Sequence, residues 1–338
     1  MALTTYSGRD FKFGFIEQTG WGTAMADSSN CTMIHADAIE VDEGVNVIER
    51  SIAIGSRLPS TDESITHTNQ CLSRITIPSI AAKHDELDHY LYGLFQSVVE
   101  STAAVFDKTF TLSTTSAPDF TSNAGYFQTF FIKDPIAGKS LKFKDVVTES
   151  ITLSCAPGEP LMVGATLVSR GVPVHNSTPS GTFTAASNDF WYYADIATAT
   201  YNFASALDLN LEGAWELTLS RPVTGVGQSS GDYYTLIHGA PEFTFKISAM
   251  HGALTDTART AVQAATAGSF RIGWGNATAG TVDGDLDFAF DGTLNRDGVK
   301  VLGTDGPVAL VELSGTMRKA AGANPITVVI ANSNDRTW

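Results

Sequence analysis

Apolar and polar residues alternate along most of the chain, and this period of two is typical of half-buried β-strands. The clearest run covers 209–220, where leucine and tryptophan alternate with mostly polar residues. Shorter runs with the same alternation lie at 39–42, 243–248 and 285–291. Serine, threonine and glycine fill the intervals, as turns require. The pattern predicts a mainly β protein.

Two segments have the period of an amphipathic α-helix instead. In 82–99 one face of the predicted helix is apolar, with Leu87, Tyr90, Leu91, Leu94, Phe95 and Val98. In 255–267 a second predicted helix has a face of small side chains, namely Ala258, Ala261, Val262 and Ala265. Thr255 is a plausible N-cap for it and Gly268 a plausible stop.

The order of these elements repeats along the chain. The strand near 36–48 matches 208–220, the strand at 72–80 matches 242–250, and a helix follows each, at an offset of 170 to 172 residues. After the helices the offset falls to 160, and three more strands continue the match: 110–112 with 270–272, 126–130 with 286–290, and 151–153 with 311–313. We infer an internal duplication.

The fold class that follows is mainly β, with two tandem lobes that each have the element order strand–strand–helix–strands. An N-terminal arm at 1–30 precedes a first lobe at 31–170, and a second lobe with a C-terminal segment covers 206–338. The stretch between them, 171–205, is rich in proline, serine, threonine and alanine, which indicates a linker or inserted loop. Its aromatic residues predict that it packs or adds a strand: Phe190, Trp191, Tyr192, Tyr193, Tyr201 and Phe203.

Charge narrows the class of function. The 338 residues carry a net charge of −15, which disfavours a protein that grips the anionic backbone of nucleic acid. No apolar run of about 18 residues predicts a membrane span. The odd number of cysteines (Cys31, Cys71 and Cys155) and the absence of a signal-like start predict free thiols in a reducing cytoplasm.

Candidate catalytic and metal motifs are weak. No G-x-S-x-G elbow is present, and the glycines of 225–231 lack the spacing of a phosphate-binding loop. The aspartates of 283–291 do not fit an EF-hand and are expected on the solvated face of a strand. The pairs Cys31/His35 and His67/Cys71 resemble zinc ligands only in composition, and His84 and His89 are expected at the surface. The sequence predicts no enzyme, cofactor or metal site.

Acidic residues without neighbouring bases mark 31–49 and its counterpart 208–220. One interpretation is two solvated strand faces. The other is an acidic wall that repels DNA phosphates, so that DNA passes without adhering. The candidate wall residues are Asp37, Glu40, Asp42, Glu43, Glu212 and Glu216.

Two short stretches resemble a known family. The run FGFIEQTGWGT at 13–23 resembles the Glu…aromatic-Gly-Thr opening of tail tube (major tail) proteins of long-tailed bacteriophages, with motif residues Glu17, Trp21, Gly22 and Thr23. Residues 149–163 and 168–171 resemble the strand–turn–strand signature of the same family.

The resemblance implies two tandem tail-tube-like β-sandwich lobes, each with one flanking α-helix. It also implies a structural virion protein that is assembled in the bacterial cytoplasm and has no catalytic residue. Subunits of this family form rings that stack into a tube for DNA. A duplicated subunit implies a trimeric, pseudo-hexameric ring, and a hexameric ring is the alternative. The implied partners are further copies, tail terminator, tape measure and distal tail proteins, and DNA in transit, with no membrane. Residues 1–30 and 315–338 are the candidate bridges between rings.

Two other classes stay open. The chain is alternatively another virion β-protein, such as a decoration or baseplate component, which would persist as single monomers. A carbohydrate-binding β-sandwich is the other alternative, with exposed tryptophan and tyrosine near 190–193 stacked on sugars.

Overall fold

The protein is mainly β, as the alternation predicts. The computed structural model describes residues 10–36, 38–51, 64–70, 72–101, 106–112, 127–185, 189–203, 206–209, 211–229, 232–275, 284–302, 309–318 and 325–332.

Thirteen strands and the first helix come from the part of the chain before residue 186. They are β1 (Lys12–Glu17), β2 (Cys31–Ile34), β3 (Glu40–Asp42), β4 (Val45–Ser51), β5 (Ser64–Gln70), β6 (Ser73–Ala81), α1 (Leu87–Phe95), β7 (Val98–Glu100), β8 (Phe106–Thr111), β9 (Gln128–Lys133), β10 (Ser140–Cys155), β11 (Met162–Ser169), β12 (Val174–Ser177) and β13 (Phe183–Ala185).

The rest of the described chain begins with a short 3₁₀ turn at Tyr193–Asp195. It continues with β14 (Ile196–Asn202), β15 (Ala206–Asp208), β16 (Leu211–Ser220), β17 (Val223–Ser229), β18 (Asp232–His238), β19 (Glu242–Met250), α2 (Ala253–Ala264), β20 (Gly268–Trp274), β21 (Leu286–Leu302), β22 (Leu310–Met317) and β23 (Ile326–Asn332). No helix of the described residues is long and apolar enough to cross a membrane.

Eight strands form one continuous antiparallel sheet, which we call the central sheet. Its order is β3–β6–β11–β10–β16–β19–β22–β21, with the second halves of β10 and β21 taking part. Neighbouring strands run in opposite directions throughout, so the two end strands, β3 and β21, are also opposite in direction. The junction between β10 and β16 joins the two halves of the chain.

The two longest strands, β10 and β21, each belong to two sheets. Their second halves lie in the central sheet, and their first halves pair with strands of further sheets. The first half of β10 pairs with β9 and β12, and β9 continues to β1, β2 and β13. The first half of β21 pairs with β20 and β23; β20 continues to β14 and β15, and β23 to β8 and β7. Pairing registers shift at the bends, between Phe143 and Val146 in β10 and between Leu294 and Val299 in β21. Bulges of this kind redirect a strand.

Strand pairing matches the two halves element by element. The series β3, β6, β9, β10, β11 pairs in the same way as β16, β19, β20, β21, β22, and hairpins β4–β5 and β17–β18 occupy equivalent positions. The predicted match was right up to the helices and wrong by one strand after them. It equated β8 with β20, whereas β9 is the strand that pairs like β20. Strands β7 and β8 caused the shift, because they extend the β21–β23 sheet and have no such counterpart after α2.

Helix α1 is shorter than the predicted 82–99 and is buried on all sides. Every residue from Leu87 to Phe95 is buried, including Asp88 and His89. The expectation of a surface His89 was therefore wrong; its ring stacks on Phe15 with centroids 5.2 Å apart. Residues 98–100 pair as β7 instead of extending the helix.

Helix α2 is the more exposed one, and it buries Leu254, Thr255, Ala258 and Ala261. It begins after Gly252, so Thr255 is not the N-cap. The Thr255 hydroxyl instead accepts a long 3.5 Å hydrogen bond from the Gly252 amide, which is the reciprocal half of a capping box. Gly268 opens β20 and lies beyond the helix end, which is at Ala265 with a left-handed φ of 48°.

Residues 285–291 alternate as predicted, but the polar side of the strand is not solvated. Leu286, Phe288 and Phe290 are buried, yet Asp285 and Asp287 are only 3% and 6% exposed. Asp287 accepts a 2.8 Å hydrogen bond from Arg271 on β20. Asp283 lies outside the described residues.

Two segments predicted as connections contain strands. Residues 12–17 of the predicted N-terminal arm form β1, which pairs along its whole length with β9. The predicted linker contains β12, β13 and β14, and β14 pairs with β20 across seven residues. Its alternating aromatic residues supply the reason, because Tyr201 is fully buried against Phe270.

Candidate conduit face and assembly edges

The central sheet has one apolar and one polar face. Its apolar face belongs to a continuous core that includes residues from both halves of the chain. On the other face, register places rows of hydroxyl side chains next to one another: Thr152, Thr218, Thr244 and Thr316 in one row, and Thr76, Thr166, Ser150 and Ser220 in another. We call this polar surface the conduit face.

Charged side chains on the conduit face are mostly acidic. Glu40 and Asp42 on β3 are exposed, and Asp42 lies opposite Arg74. Glu216 is exposed and lies opposite Ser154 on one side and Lys246 on the other. The remaining charged residues that alternate onto this face are Glu242, Glu312 and Lys300.

Three of the predicted wall residues need separate comment. Glu212 is exposed near the start of β16. Burial, with a smaller contribution from the Glu212 carboxylate, raises the pKa of Tyr193 to about 12. Glu43 lies apart from the set, because its carboxylate is 3.0 Å from Nε2 of His175 on β12. Asp37 lies outside the described residues. The structure thus brings Glu40, Asp42 and Glu216 onto one sheet face and separates Glu43 from them.

The two ends of the central sheet are open among the described strand pairings. β3 pairs only with β6, and residues 299–302 of β21 pair only with β22. Val301 is 45% exposed although its partner Val311 is fully buried. An open edge presents unpaired backbone groups that can pair with another chain. Sequence reasoning missed this edge, although the alternation in the run GVKVL of 298–302 is a usable signal.

The family-motif residues form a turn that is fastened to β10. Gly22 adopts a left-handed φ of 77°, and its amide donates a 2.8 Å hydrogen bond to Oδ1 of Asp145. Gln18 donates to the same oxygen at 2.7 Å and accepts a hydrogen bond from the Asp145 amide at 2.6 Å. Asp145 itself has a φ of 53° at the bend of β10. The turn therefore holds the bend that carries β10 into the central sheet.

Arg170 completes this cluster. Its Nε is 3.0 Å from Oδ2 of Asp145, and its guanidinium stacks over the Trp21 ring at 4.7 Å. Burial raises the pKa of Asp145, against the opposing effects of the Gly22 amide and Arg170. Thr23 closes the turn with a backbone hydrogen bond to Gly20. Glu17 ends β1, with its carboxylate 3.9 Å from the ring nitrogen of His89. These contacts fasten the turn to its neighbours and account for the motif residues structurally.

The aromatic segment 190–193 does not form an exposed platform. Trp191 is 2% exposed and donates a 2.6 Å hydrogen bond to the Gly284 carbonyl. Tyr193 donates to the Gly213 carbonyl at 3.0 Å. Tyr192 is the exposed ring of this segment, at 48%. Since sugar stacking needs accessible rings, the interpretation of these residues as a glycan site loses its main support.

The described thiols are poor nucleophiles and poor ligands. Burial raises the pKa of Cys31 and of Cys155 to about 12, so both are protonated near neutral pH. Cys71 lies outside the described residues, as does any zinc pair that includes it. Among the described residues, no three His, Cys, Asp or Glu side chains lie close enough together to hold a metal ion.

Comparison with known proteins adds no family. No protein-family model matches the sequence, and a search of curated proteins finds no match.

Proposed function

We propose that the protein is a structural tail tube subunit of a long-tailed bacteriophage, which forms rings that stack into a conduit for DNA. The observation that carries the proposal is the central sheet, with two open end strands of opposite direction and one polar, mainly acidic face. A sheet whose two ends can pair with each other joins identical copies head to tail, and a ring results when the rotation closes. Closure removes the exposed edges.

The matched halves support a duplicated subunit. We propose two tandem tail-tube-like units, the first from β1 to β11 and the second from β14 to β22, each with one helix. Each unit contributes four strands to the central sheet: β3, β6, β11 and β10 from the first, and β16, β19, β22 and β21 from the second. Three copies then give a ring with pseudo-sixfold symmetry, and the internal β10–β16 junction serves as the template for the junctions between copies.

The chemistry of the conduit face suits passage of DNA. Hydroxyl groups offer only neutral hydrogen bonds, and Glu40, Asp42 and Glu216 repel phosphates. The three described bases of this face each lie beside an acid, since Arg74 is 3.2 Å from Glu149, and Lys246 and Lys300 are 3.0 Å and 3.8 Å from Glu312. We propose that DNA touches this face transiently and without sequence preference.

The remaining partners follow from the same proposal. In a virion tail assembled in the host cytoplasm, the subunit would contact further rings, tail terminator, tape measure and distal tail proteins. Hairpins β4–β5 and β17–β18 leave the central sheet at equivalent positions, so they are candidates for contact between stacked rings. We propose no catalytic activity, metal or cofactor for this subunit.

Electron microscopy of the purified chain tests the proposal. The expected result is rings or stacked tubes with an open centre at micromolar concentration, at low and moderate salt. A chain that stays monomeric at every concentration, by light scattering and microscopy, contradicts the proposal and favours another virion β-protein. A DNA-binding titration of assembled rings is expected to show no retention, whereas Glu40→Lys with Glu216→Lys is expected to retain DNA.

A further inference from the structure

We propose that residues 299–302 of β21 in one copy pair antiparallel with β3 of the next copy, in a register that places Val301 opposite Val41 and Lys300 opposite Asp42. This seam rests on the proposed function and goes further, because it names the residues that close the ring. The partner is a second copy of the same chain.

The internal junction supplies the template. β10 pairs with β16 so that Leu153 lies opposite Leu217 and Thr152 opposite Thr218. Both leucines are fully buried, so this seam is covered on its apolar side. Ser154 lies opposite Glu216 on the polar side.

Equivalent positions on β21 follow from the strand ends. β11 begins with Met162, which pairs with Ala81 at the end of β6 and with Ser154 of β10. β22 begins with Leu310, which pairs with Met250 at the end of β19 and with Leu302 of β21. Ser154 therefore corresponds to Leu302, Thr152 to Lys300 and Leu153 to Val301.

Equivalent positions on β3 follow from the same alignment. Thr76 and Lys246 correspond, because they pair with Thr166 of β11 and Ser314 of β22, four residues beyond the starts of those strands. Glu40 lies opposite Thr76, and Glu216 lies opposite Lys246. Glu40 thus corresponds to Glu216, Val41 to Leu217 and Asp42 to Thr218.

Transfer of the β10–β16 register to these positions gives the seam, and its chemistry is complementary. Two apolar residues meet on the core side, where Val301 is 45% exposed in the single chain and its counterpart Leu153 is fully buried. On the conduit face Lys300, with a side chain 60% exposed, meets the exposed Asp42. Opposite charges directly across a strand pair stabilise it, whereas like charges destabilise it. Within one chain Lys300 lies opposite Glu312 and Asp42 lies opposite Arg74, so the seam would complete a row of alternating charges, Glu312–Lys300–Asp42–Arg74.

Disulfide trapping tests the register. The double variant Val301→Cys with Val41→Cys is oxidised under assembly conditions and examined by non-reducing gel electrophoresis. In a background with Cys31, Cys71 and Cys155 replaced by alanine, we expect covalent oligomers that end in a closed ring species, and none when only one of the two new cysteines is present. The control pair is Val301→Cys with Ile39→Cys, in which residue 39 alternates onto the same side as Val41 but lies two residues away from the proposed register. This pair is expected to cross-link at least about tenfold less.

Charge exchange tests the polar side independently. Lys300→Asp and Asp42→Lys are each expected to lower the assembled fraction at low salt by about tenfold, and the double exchange is expected to restore it. Lys139→Asp changes the net charge equally at an exposed turn residue between β9 and β10, away from both end strands, so its rings are expected to form normally. Two results would overturn the seam and leave the tube proposal standing. In the first, rings form but the control pair cross-links as well as the Val301/Val41 pair. In the second, neither Lys300→Asp nor Asp42→Lys lowers the assembled fraction. A wild-type chain that forms no rings overturns both.

Discussion

The two halves of the chain share one strand connectivity and yet differ in how much of it is buried. Helix α1 is buried on every side, whereas α2 buries one face. The end of β10 is covered by β16, whereas the equivalent end of β21 has an open edge among the described strand pairings, with Val301 exposed. The strands alternate alike, so their place in the central sheet decides their burial. The helices already differ in sequence, because α1 has large apolar side chains and α2 has mostly small ones.

The largest difference between the halves is expected at the buried ion pair beneath α1. Lys108 donates to Asp88 at 2.9 Å and to Asn332 at 2.8 Å, and both the Lys108 and Asp88 side chains are fully buried. Lys108→Ala leaves a buried carboxylate without its cation, so we expect a loss of about 3–5 kcal/mol in the free energy of unfolding, measured in urea. Arg259→Ala on α2 removes an exposed partner of Asp256 and is the matched control, with stability expected to match the wild type. Equal effects at both sites would contradict the comparison.

The next largest difference in stability is expected between the covered end of β10 and the open end of β21. Leu153→Ala at the internal seam is expected to cost about 2–4 kcal/mol, because the cavity lies in the closed core. Val301→Ala at the equivalent open position is expected to leave the unfolding free energy of the isolated subunit nearly unchanged. Chemical unfolding of dilute, unassembled protein makes the measurement. A large cost for Val301→Ala would mean that the edge is already covered within one chain.

A smaller effect is expected from Glu86, which precedes α1. Burial raises its pKa from an ordinary 4.5 to about 8, although its carboxylate accepts a 3.0 Å hydrogen bond from the His35 amide. Because the folded pKa is the higher one, this group's stabilising contribution is complete below about pH 4.5 and is lost as pH rises to about 8.

Glu86→Gln keeps a neutral group at this site, so the variant should gain stability relative to the wild type between pH 5 and 8, by on the order of 2 kcal/mol. Thermal unfolding across this range measures the gain. The control Asp256→Asn, on the exposed side of α2, is expected to show no such dependence. A gain that is the same at every pH would refute the assignment.

The smallest effect is expected at the motif turn of the first half. Gly22 has a φ of 77°, and a Cβ there would lie 3.2 Å from Nη2 of Arg170. Gly22→Ala is expected to cost about 1 kcal/mol for backbone strain, plus the displacement of Arg170. Gly158→Ala has a similar φ of 83° in open space, so it carries the strain alone and should cost less. Identical costs would show that Arg170 gives way freely.

The strands and the existence of both helices were predictable because alternation and helical spacing are local signals. The candidate acids Glu40, Asp42 and Glu216 were also identified in sequence, as base-free runs with exposed positions. The alignment of the two halves failed after the helices, because every strand alternates alike and the inserted pair β7–β8 cannot be distinguished by pattern. The aromatic residues of the apparent linker predicted that it packs or adds a strand, but the position of β14 became clear only from its pairing with β20.

The sequence by itself determined where alternating runs lie and which side of each run is apolar, since those properties depend on neighbours along the chain. Only the tertiary structure decided that residues 12–17 form a strand, that Asp285, Asp287 and His89 are buried, and that Glu43 meets His175. It also decided that, among the described strand pairings, β3 and β21 end the central sheet with open edges. Those outcomes depend on which segments pack against one another, and long-range pairing leaves no local trace in the order of residues.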